Sequence, residues 1–211
     1  VLSGLITPEH GSITVKGRRL NGHRPHHLAG LGISRTLQGL NLFPGMTVLE
    51  NVTVGADPLS RSGMLSMLTG LGPCERDERE LRQRAMAMLD ELGVADVASA
   101  LPETLSFGLQ KRVALARALI SEPDLVMLDE PASGLAAQEV TELADRIRGL
   151  RTRASVMLVE HHMDLVMEVC DHIVVLDFGE VISSGPPDAV RDDPAVTRAY
   201  LGDSVGEESD D

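Results

Sequence analysis

Several things are scarce in this chain of 211 residues, and each excludes a class of protein. Cysteine occurs only as Cys74 and Cys170, in unrelated contexts, so neither a disulfide framework nor a Cys-x-x-Cys metal pair is suggested. A reducing compartment is the default expectation. Basic residues are outnumbered, 19 against 32 acidic, for a net charge of -13. Phosphate backbones want a basic face, so a nucleic-acid partner is disfavoured, and the acidic excess favours solubility instead. Long apolar runs are missing: no stretch approaches the roughly 18 to 20 residues needed to span a bilayer, and no secretory signal is visible at the start. Any membrane role has to work through partner subunits. What is present, 43% hydrophobic residues, suffices for one domain of moderate size with a substantial core.

The chemistry concentrates in residues 104–131, TLSFGLQKRVALARALISEPDLVMLDEP. Leu125, Val126, Met127 and Leu128 form a short apolar run after Pro123 and Asp124, the pattern of a strand buried on both faces in a parallel sheet. Asp129 and Glu130 follow at its carboxyl end, where open α/β sheets bind ligands, so the pair suits a metal ion and a proton acceptor. A strand running into a polar turn at Pro131 is the plainer alternative. Upstream, Ser106 can cap a helix whose apolar positions Leu109, Val113, Ala116 and Ile120 recur at spacings of four, three and four. Lys111, Arg112 and Arg117 occupy other positions on it. Gly108 near its start permits close approach to the backbone, and the amide N–H groups there form an anion site for which phosphate is the obvious guest.

On these residues the chain resembles the nucleotide-binding subunits of ABC transporters. LSFGLQKRVALARAL looks like the signature motif and LVMLDEP like the Walker B strand that follows it. The resemblance implies an α/β fold: a P-loop NTPase (RecA-like) core with a mostly parallel sheet, plus a helical subdomain. Residues 2–17 fit LxGLxxPxxGxIxxxG, the pattern that follows the phosphate loop in the family, whereas no Gly-x-x-x-x-Gly-Lys-[Ser/Thr] sequence occurs in the 211 residues. The N-terminal strand and Walker A region are therefore expected to precede residue 1, and residues 1–211 alone are expected to be inactive. The apolar VLSGL run at the start reads as the middle of a helix.

Along the chain, residues 11–17 alternate Ile13 and Val15 with polar neighbours between glycines and read as a half-exposed hairpin strand. His23, His26 and His27 read as a solvated loop rather than a metal site, since no carboxylate or cysteine stands at ligand spacing. Residues 32–38 read as a strand ending at Gln38, which the resemblance makes the Q-loop residue contacting Mg²⁺ or the attacking water. Thr47 and Glu50 have capping-box spacing. Residues 57–84, broken by Gly63, Gly70, Gly72 and Pro73, read as an insertion over the core, with Met64, Leu65, Met67 and Leu68 an amphipathic turn. Residues 79–92 read as a helix stopped by Gly93, and residues 138–150 as another.

Residues 155–159 form a second apolar run, ending at Glu160 and His161. A strand of the same sheet puts His161 beside Glu130, and the resemblance makes it the switch histidine that senses the γ-phosphate; a hydrogen-bonded surface imidazole is the alternative. Residues 170–176 and 181–183 read as two strands around a turn. The family's crossing loop falls at residues 132–136, with Ala136 where Asp or Asn is usual. Phe107 and Leu109 stand where the general family has Gly and Gln. The segments LFPGMTVLENV and GPPDAVRDDPAVTRAYLG, the insertion and Phe107 resemble one subfamily, the ATP-binding subunits of branched-chain amino-acid importers.

The resemblance implies core parts at residues 1–42 and 117–185, a helical subdomain at 43–116 and a C-terminal extension at 186–211. It implies an ATPase that works as a homo- or heterodimer with a second ATPase subunit, at the cytoplasmic face of the plasma membrane. Two permease subunits and, indirectly, a substrate-binding protein complete the assembly. Ser106 and Gly108 would hold the partner's ATP, Asp129 would hold Mg²⁺, and Glu130 would polarise water. The alternative is a non-catalytic module that lends its signature motif to a partner's ATP.

Overall fold

The computed structural model describes residues 1–20, 22–36, 39–56 and 73–205, in two compact units, Val1–Val159 and Glu160–Asp211. In the first unit, β1 (Ile13–Val15) and β2 (Arg18–Leu20) form an antiparallel hairpin with Ile13 opposite Leu20. Lys16 and Gly17 turn the chain, both at positive φ (50° and 74°), the pattern of the two-residue turn that matches strand twist. The expected strand is thus one arm of a hairpin. The VLSGL run is not helical. Gly4 sits at φ 72° with its N–H donating to the Val1 carbonyl (2.9 Å), and a side chain there would meet the backbone of His23 and Arg24. A turn packed against another loop overrides the apolar composition.

The sheet that positions the chemistry is β3 (Ile33–Arg35), β4 (Leu125–Asp129) and β5 (Ser155–Val159), all parallel, in the order β3-β4-β5. β4 is central, and Val126, Met127 and Leu128 are buried as an apolar strand covered on both faces should be. Leu28, Ile33 and Met127 make one core cluster, with Leu2, Val15, Leu31 and Leu125 against it. β5 has the limits expected, but it pairs only with β4 among the described residues, and Met157 and Val159 stay exposed. β3 is shorter than the expected 32–38, and Gln38 lies outside the described residues.

Among the described residues three α-helices lie between β3 and β4: α1 (Val48–Gly55), α2 (Pro73–Glu91) and α3 (Phe107–Leu119). The capping box forms as its spacing requires: the Thr47 hydroxyl accepts from the Glu50 N–H (3.2 Å) while the Glu50 carboxylate accepts from the Thr47 N–H (2.7 Å). Gly55 lets α1 close on α3, since a Cβ there would strike the Arg117 carbonyl. α2 starts six residues before the expected 79, because Glu78–Arg82 and Glu80–Arg84 pairs, four apart, support the charged run as helix. It ends at Gly93, φ 68°. Residues 57–72, including Gly63, Met64, Leu65, Met67 and Leu68, lie outside the described residues. α4 (Ala137–Leu150) joins β4 to β5 and buries Val140, Ala144, Ile147 and Leu150.

Asn51 is fully buried in α1, a feature the sequence reading passed over. Its Oδ1 accepts from the Phe43 N–H (2.7 Å), and its Nδ2 donates to the carbonyls of Phe43, Met46 and Thr47 at 3.2, 3.1 and 3.0 Å. One side chain thus ties the loop at 43–47 to the helix that follows. Asn51→Ala strands those backbone groups and is expected to destabilise the fold by about 2–4 kcal/mol, read as a lower urea midpoint at unchanged slope.

The second unit contains α5 (Met163–Val169), the antiparallel pair β6 (Ile173–Asp177) and β7 (Glu180–Gly185), α6 (Pro187–Arg191) and α7 (Pro194–Val205). The expected strand pair around the turn at 178–179 is present, starting later than 170 because Cys170 caps α5. Leu165, Val166, Val169, Ile173, Val190 and Val196 are its buried apolar residues among those described.

Candidate functional site

Ser106 caps α3 as its position predicts, the hydroxyl accepting from the Leu109 N–H at 3.4 Å. The first-turn amides of an α-helix have no intrahelical acceptor and carry the positive end of its dipole, so this end of α3 is suited to an anion. Ser106 and Phe107 are exposed there. Gly108 is buried, and the group in close approach to it is the Glu139 carboxylate, which lies where a Cβ would be. That carboxylate also accepts from the Ala136 N–H (2.9 Å) at the start of α4. One acidic side chain therefore rests between the positive ends of two helices. A side chain at 108 would require the Glu139 carboxylate to move.

At the end of β4 the two carboxylates part company. Asp129 is the last residue of the strand, opposite Val159 of β5. Its Oδ2 accepts from Arg35 Nη2 at 2.9 Å, both side chains about one-quarter exposed, and its N–H donates to the Thr36 hydroxyl at 3.4 Å. Glu130 leaves the strand with φ 47°, in the left-handed region where a side chain costs about 1–2 kcal/mol. Its N–H donates to the Val159 carbonyl (2.9 Å), and its carbonyl accepts from the Ser133 N–H (3.2 Å). The left-handed turn takes Glu130 out of the strand's alternation, so the two adjacent carboxylates sit in different backbone settings.

Lys111 reaches this turn from α3. Its Nζ donates to the carbonyls of Glu130 (3.3 Å), Pro131 (2.7 Å) and Ser133 (2.5 Å), and stands 5.1 Å from the centre of the Phe107 ring. Phe107 in turn approaches Gly134, leaving no room there for a side chain. A cavity of about 70 Å³ lies among Gly108, Lys111, Asp129, Glu130, Glu139 and Arg146. That is room for a few waters and far below the size of a nucleotide pocket. A phosphate ligand has to meet this site at its open surface. A larger hollow of about 430 Å³, bordered by Glu91, Glu142, Asp145 and Arg153, has only Leu115 and Arg146 in common with the smaller cavity.

Sequence reasoning missed Arg35, Thr36 and Lys111 as members of this site. Arg35 and Thr36 close β3, and only the parallel pairing of β3 with β4 brings them to Asp129. The remaining expected residue, His161, follows β5 but belongs to the second unit, so its proximity to Glu130 stays an expectation drawn from the sequence. There the Glu160 carboxylate accepts from the N–H groups of His161 (2.9 Å) and His162 (3.2 Å), fixing the backbone before α5.

The donor set suits a hard divalent cation bound mainly through water and phosphate: Asp129 offers carboxylate oxygen at a strand end with the Thr36 hydroxyl close by. Among the described residues no cluster of three or more His, Cys, Asp or Glu side chains exists, so an all-protein cage is not available. His23 bonds the Leu2 carbonyl (2.7 Å) and His27 accepts from the Arg24 N–H (3.2 Å).

Residues 1–133 match the family described as ABC transporter, and residues 180–205 the one described as branched-chain amino acid ATP-binding cassette transporter. Over 205 residues the chain is 36% identical to the high-affinity branched-chain amino acid transport ATP-binding protein LivG of Salmonella typhimurium, covering 96% of this chain and 80% of that one. It is 37% identical, with the same coverage, to the corresponding protein BraF of Pseudomonas aeruginosa. Among solved structures it resembles the ADP conformation of MJ1267, an ATP-binding cassette of an ABC transporter, with TM-score 0.79 and 25% identity over 96% of this chain and 81% of that one.

Proposed function

We propose, from the premise that this chain belongs to the ABC transporter family of ATP-binding cassettes, that it serves an importer of branched-chain amino acids as the subunit that couples ATP binding and hydrolysis to transport. The observation that carries the reading is a capped helix start open to an anion, joined through Lys111 to a strand end bearing Asp129 and Glu130. The match at residues 180–205 and the names of LivG and BraF support branched-chain amino acids as the substrate class.

In this reading two ATPase subunits face each other, as homo- or heterodimer. The hydroxyl of Ser106 and the amides around Gly108 bind the γ-phosphate of the partner's ATP. Asp129 holds Mg²⁺ through water, with Gln38 as a further contact. Bound Mg²⁺ supplies neutralisation of the phosphate charge. Glu130 accepts the proton of the water that attacks in line, and His161 reports on the γ-phosphate. Residues 43–116 form the helical subdomain that meets the permease, residues 1–42 and 117–185 the core and 186–211 the C-terminal extension. Among the described residues no helix is long and apolar enough to cross a membrane. In this reading the subunit docks on two permease subunits at the cytoplasmic face of the plasma membrane. A substrate-binding protein delivers the solute from the other side.

The test is reconstitution of the complete natural protein with its permease in liposomes. ATP hydrolysis stimulated by leucine-loaded binding protein is the expected result; hydrolysis with no response to any branched-chain amino acid removes the substrate assignment, and no hydrolysis removes the ATPase. Residues 1–211 by themselves contain no phosphate-cradling Gly-x-x-x-x-Gly-Lys-[Ser/Thr] loop. Purified alone they are expected to turn over no ATP above background in a phosphate-release assay, and robust turnover would contradict this.

A further inference from the structure

Lys111 has no part in the chemistry just described, yet its ammonium is aimed at the turn that carries Glu130. Three main-chain carbonyls, of Glu130, Pro131 and Ser133, converge on Nζ at 3.3, 2.7 and 2.5 Å. Carbonyl dipoles that point their negative ends at one spot repel each other unless a cation sits there, and an ammonium carries three donors for three acceptors. The turn needs such support. Glu130 is held at φ 47°, a conformation that a residue with a Cβ keeps only where its surroundings over-determine it. Its N–H is fixed on the Val159 carbonyl and its carbonyl on the Ser133 N–H and Lys111. With the amide on one side and the carbonyl on the other both held, the direction of the Glu130 side chain follows.

We infer that Lys111 is a positioning residue: its ammonium closes the carbonyl cluster at residues 130–133 and so aims the Glu130 carboxylate. The inference rests on the proposed role of Glu130 as proton acceptor. It also joins two functions in one chain. Lys111 stands on the first turns of α3, over the Phe107 ring, next to the Ser106 and Gly108 that engage a partner's nucleotide. Movement of that helix start is handed by the ammonium to the turn holding Glu130.

The experiment compares Lys111→Met, which keeps length without charge, with Lys111→Arg, which keeps a cation with several donors, in the complete natural protein. The Met variant is expected to lose about tenfold or more in kcat with the KM for ATP within about twofold, because a misaimed base affects the chemical step and not binding. The Arg variant is expected to keep most of the wild-type kcat. In a Glu130→Gln background, Lys111→Met should lower residual turnover no further, since it acts through the carboxylate already removed. A second readout needs no activity: hydrogen exchange of the Ser133 and Leu135 amides should quicken in the Met variant alone, with thermal melting near wild type. Equal kcat in the Met and Arg variants, or unchanged exchange at Ser133 and Leu135, overturns the inference. If the wild-type protein hydrolyses no ATP, the functional reading fails, and the exchange measurement still decides whether the ammonium holds the turn.

Discussion

Glu130→Gln is expected to lower ATP turnover by about 10²- to 10³-fold while the proposed ATP-bound dimer persists, because it removes the proposed proton acceptor and little else. The amide has the shape of the carboxylate. The backbone that aims it, an N–H on the Val159 carbonyl and a carbonyl shared by Ser133 and Lys111, involves no side-chain atom of residue 130. The left-handed φ of 47° suits Gln no better and no worse than Glu. Nucleotide affinity should hold or rise, since one negative charge beside the phosphates is gone. Turnover is read by phosphate release from the reconstituted complete protein, and dimerisation by size-exclusion in ATP. Wild-type turnover in the variant would show that another group takes the proton. The neighbouring carboxylate is a poor substitute: Asp129 is engaged by Arg35 at 2.9 Å and ends a strand, so its side chain follows the sheet's alternation and not the turn.

The contrast between Asp129 and Glu130 also shows how far the sequence could be read. Four apolar residues followed by two acids announce a buried strand, and β4 is that strand, central and buried at Val126, Met127 and Leu128. Local signals of this kind were legible wherever a short-range rule decides the outcome. The Thr47 and Glu50 box, the Ser106 cap and the Gly93 stop all rest on contacts within about four residues. What stayed hidden depends on pairing across long separations. Arg35 meets Asp129 across 94 positions, and nothing in the ISRT run marks Arg35 as its partner. Lys111 reads as one of several basic residues on a helix until its turn and that of Glu130 are packed together. The VLSGL run shows the reverse error, an apolar stretch taken for helix whose Gly4 is needed in a turn against residues 23 and 24. Gly108 lies between the two cases: its smallness was readable, but the neighbour that demands it was not.

Gly108→Ala separates those two reasons for the glycine, and it carries the second large effect. The residue is helical and buried, so space and not φ is at issue, and a methyl there meets the Glu139 carboxylate. Glu139 must move, which loses its bond to the Ala136 N–H at the start of α4 and its place between two helix N-termini. The expected destabilisation is about 1–3 kcal/mol, the range of an overpacked contact with a lost cap. Turnover is expected to fall about tenfold or more, because the methyl also stands at the helix start proposed to receive the partner's phosphate. Glu139→Ala in the same chain removes the obstructing carboxylate. The double variant should recover most of the stability lost to the methyl, so that the two substitutions are strongly non-additive in urea unfolding. Its turnover should stay low. The Glu139 carboxylate is one reason for a glycine at 108, and in the proposed role a partner's phosphate is the other. Additive unfolding energies would remove the first reason, and turnover restored by Glu139→Ala would remove the second, leaving Gly108 as a packing residue with no part in binding.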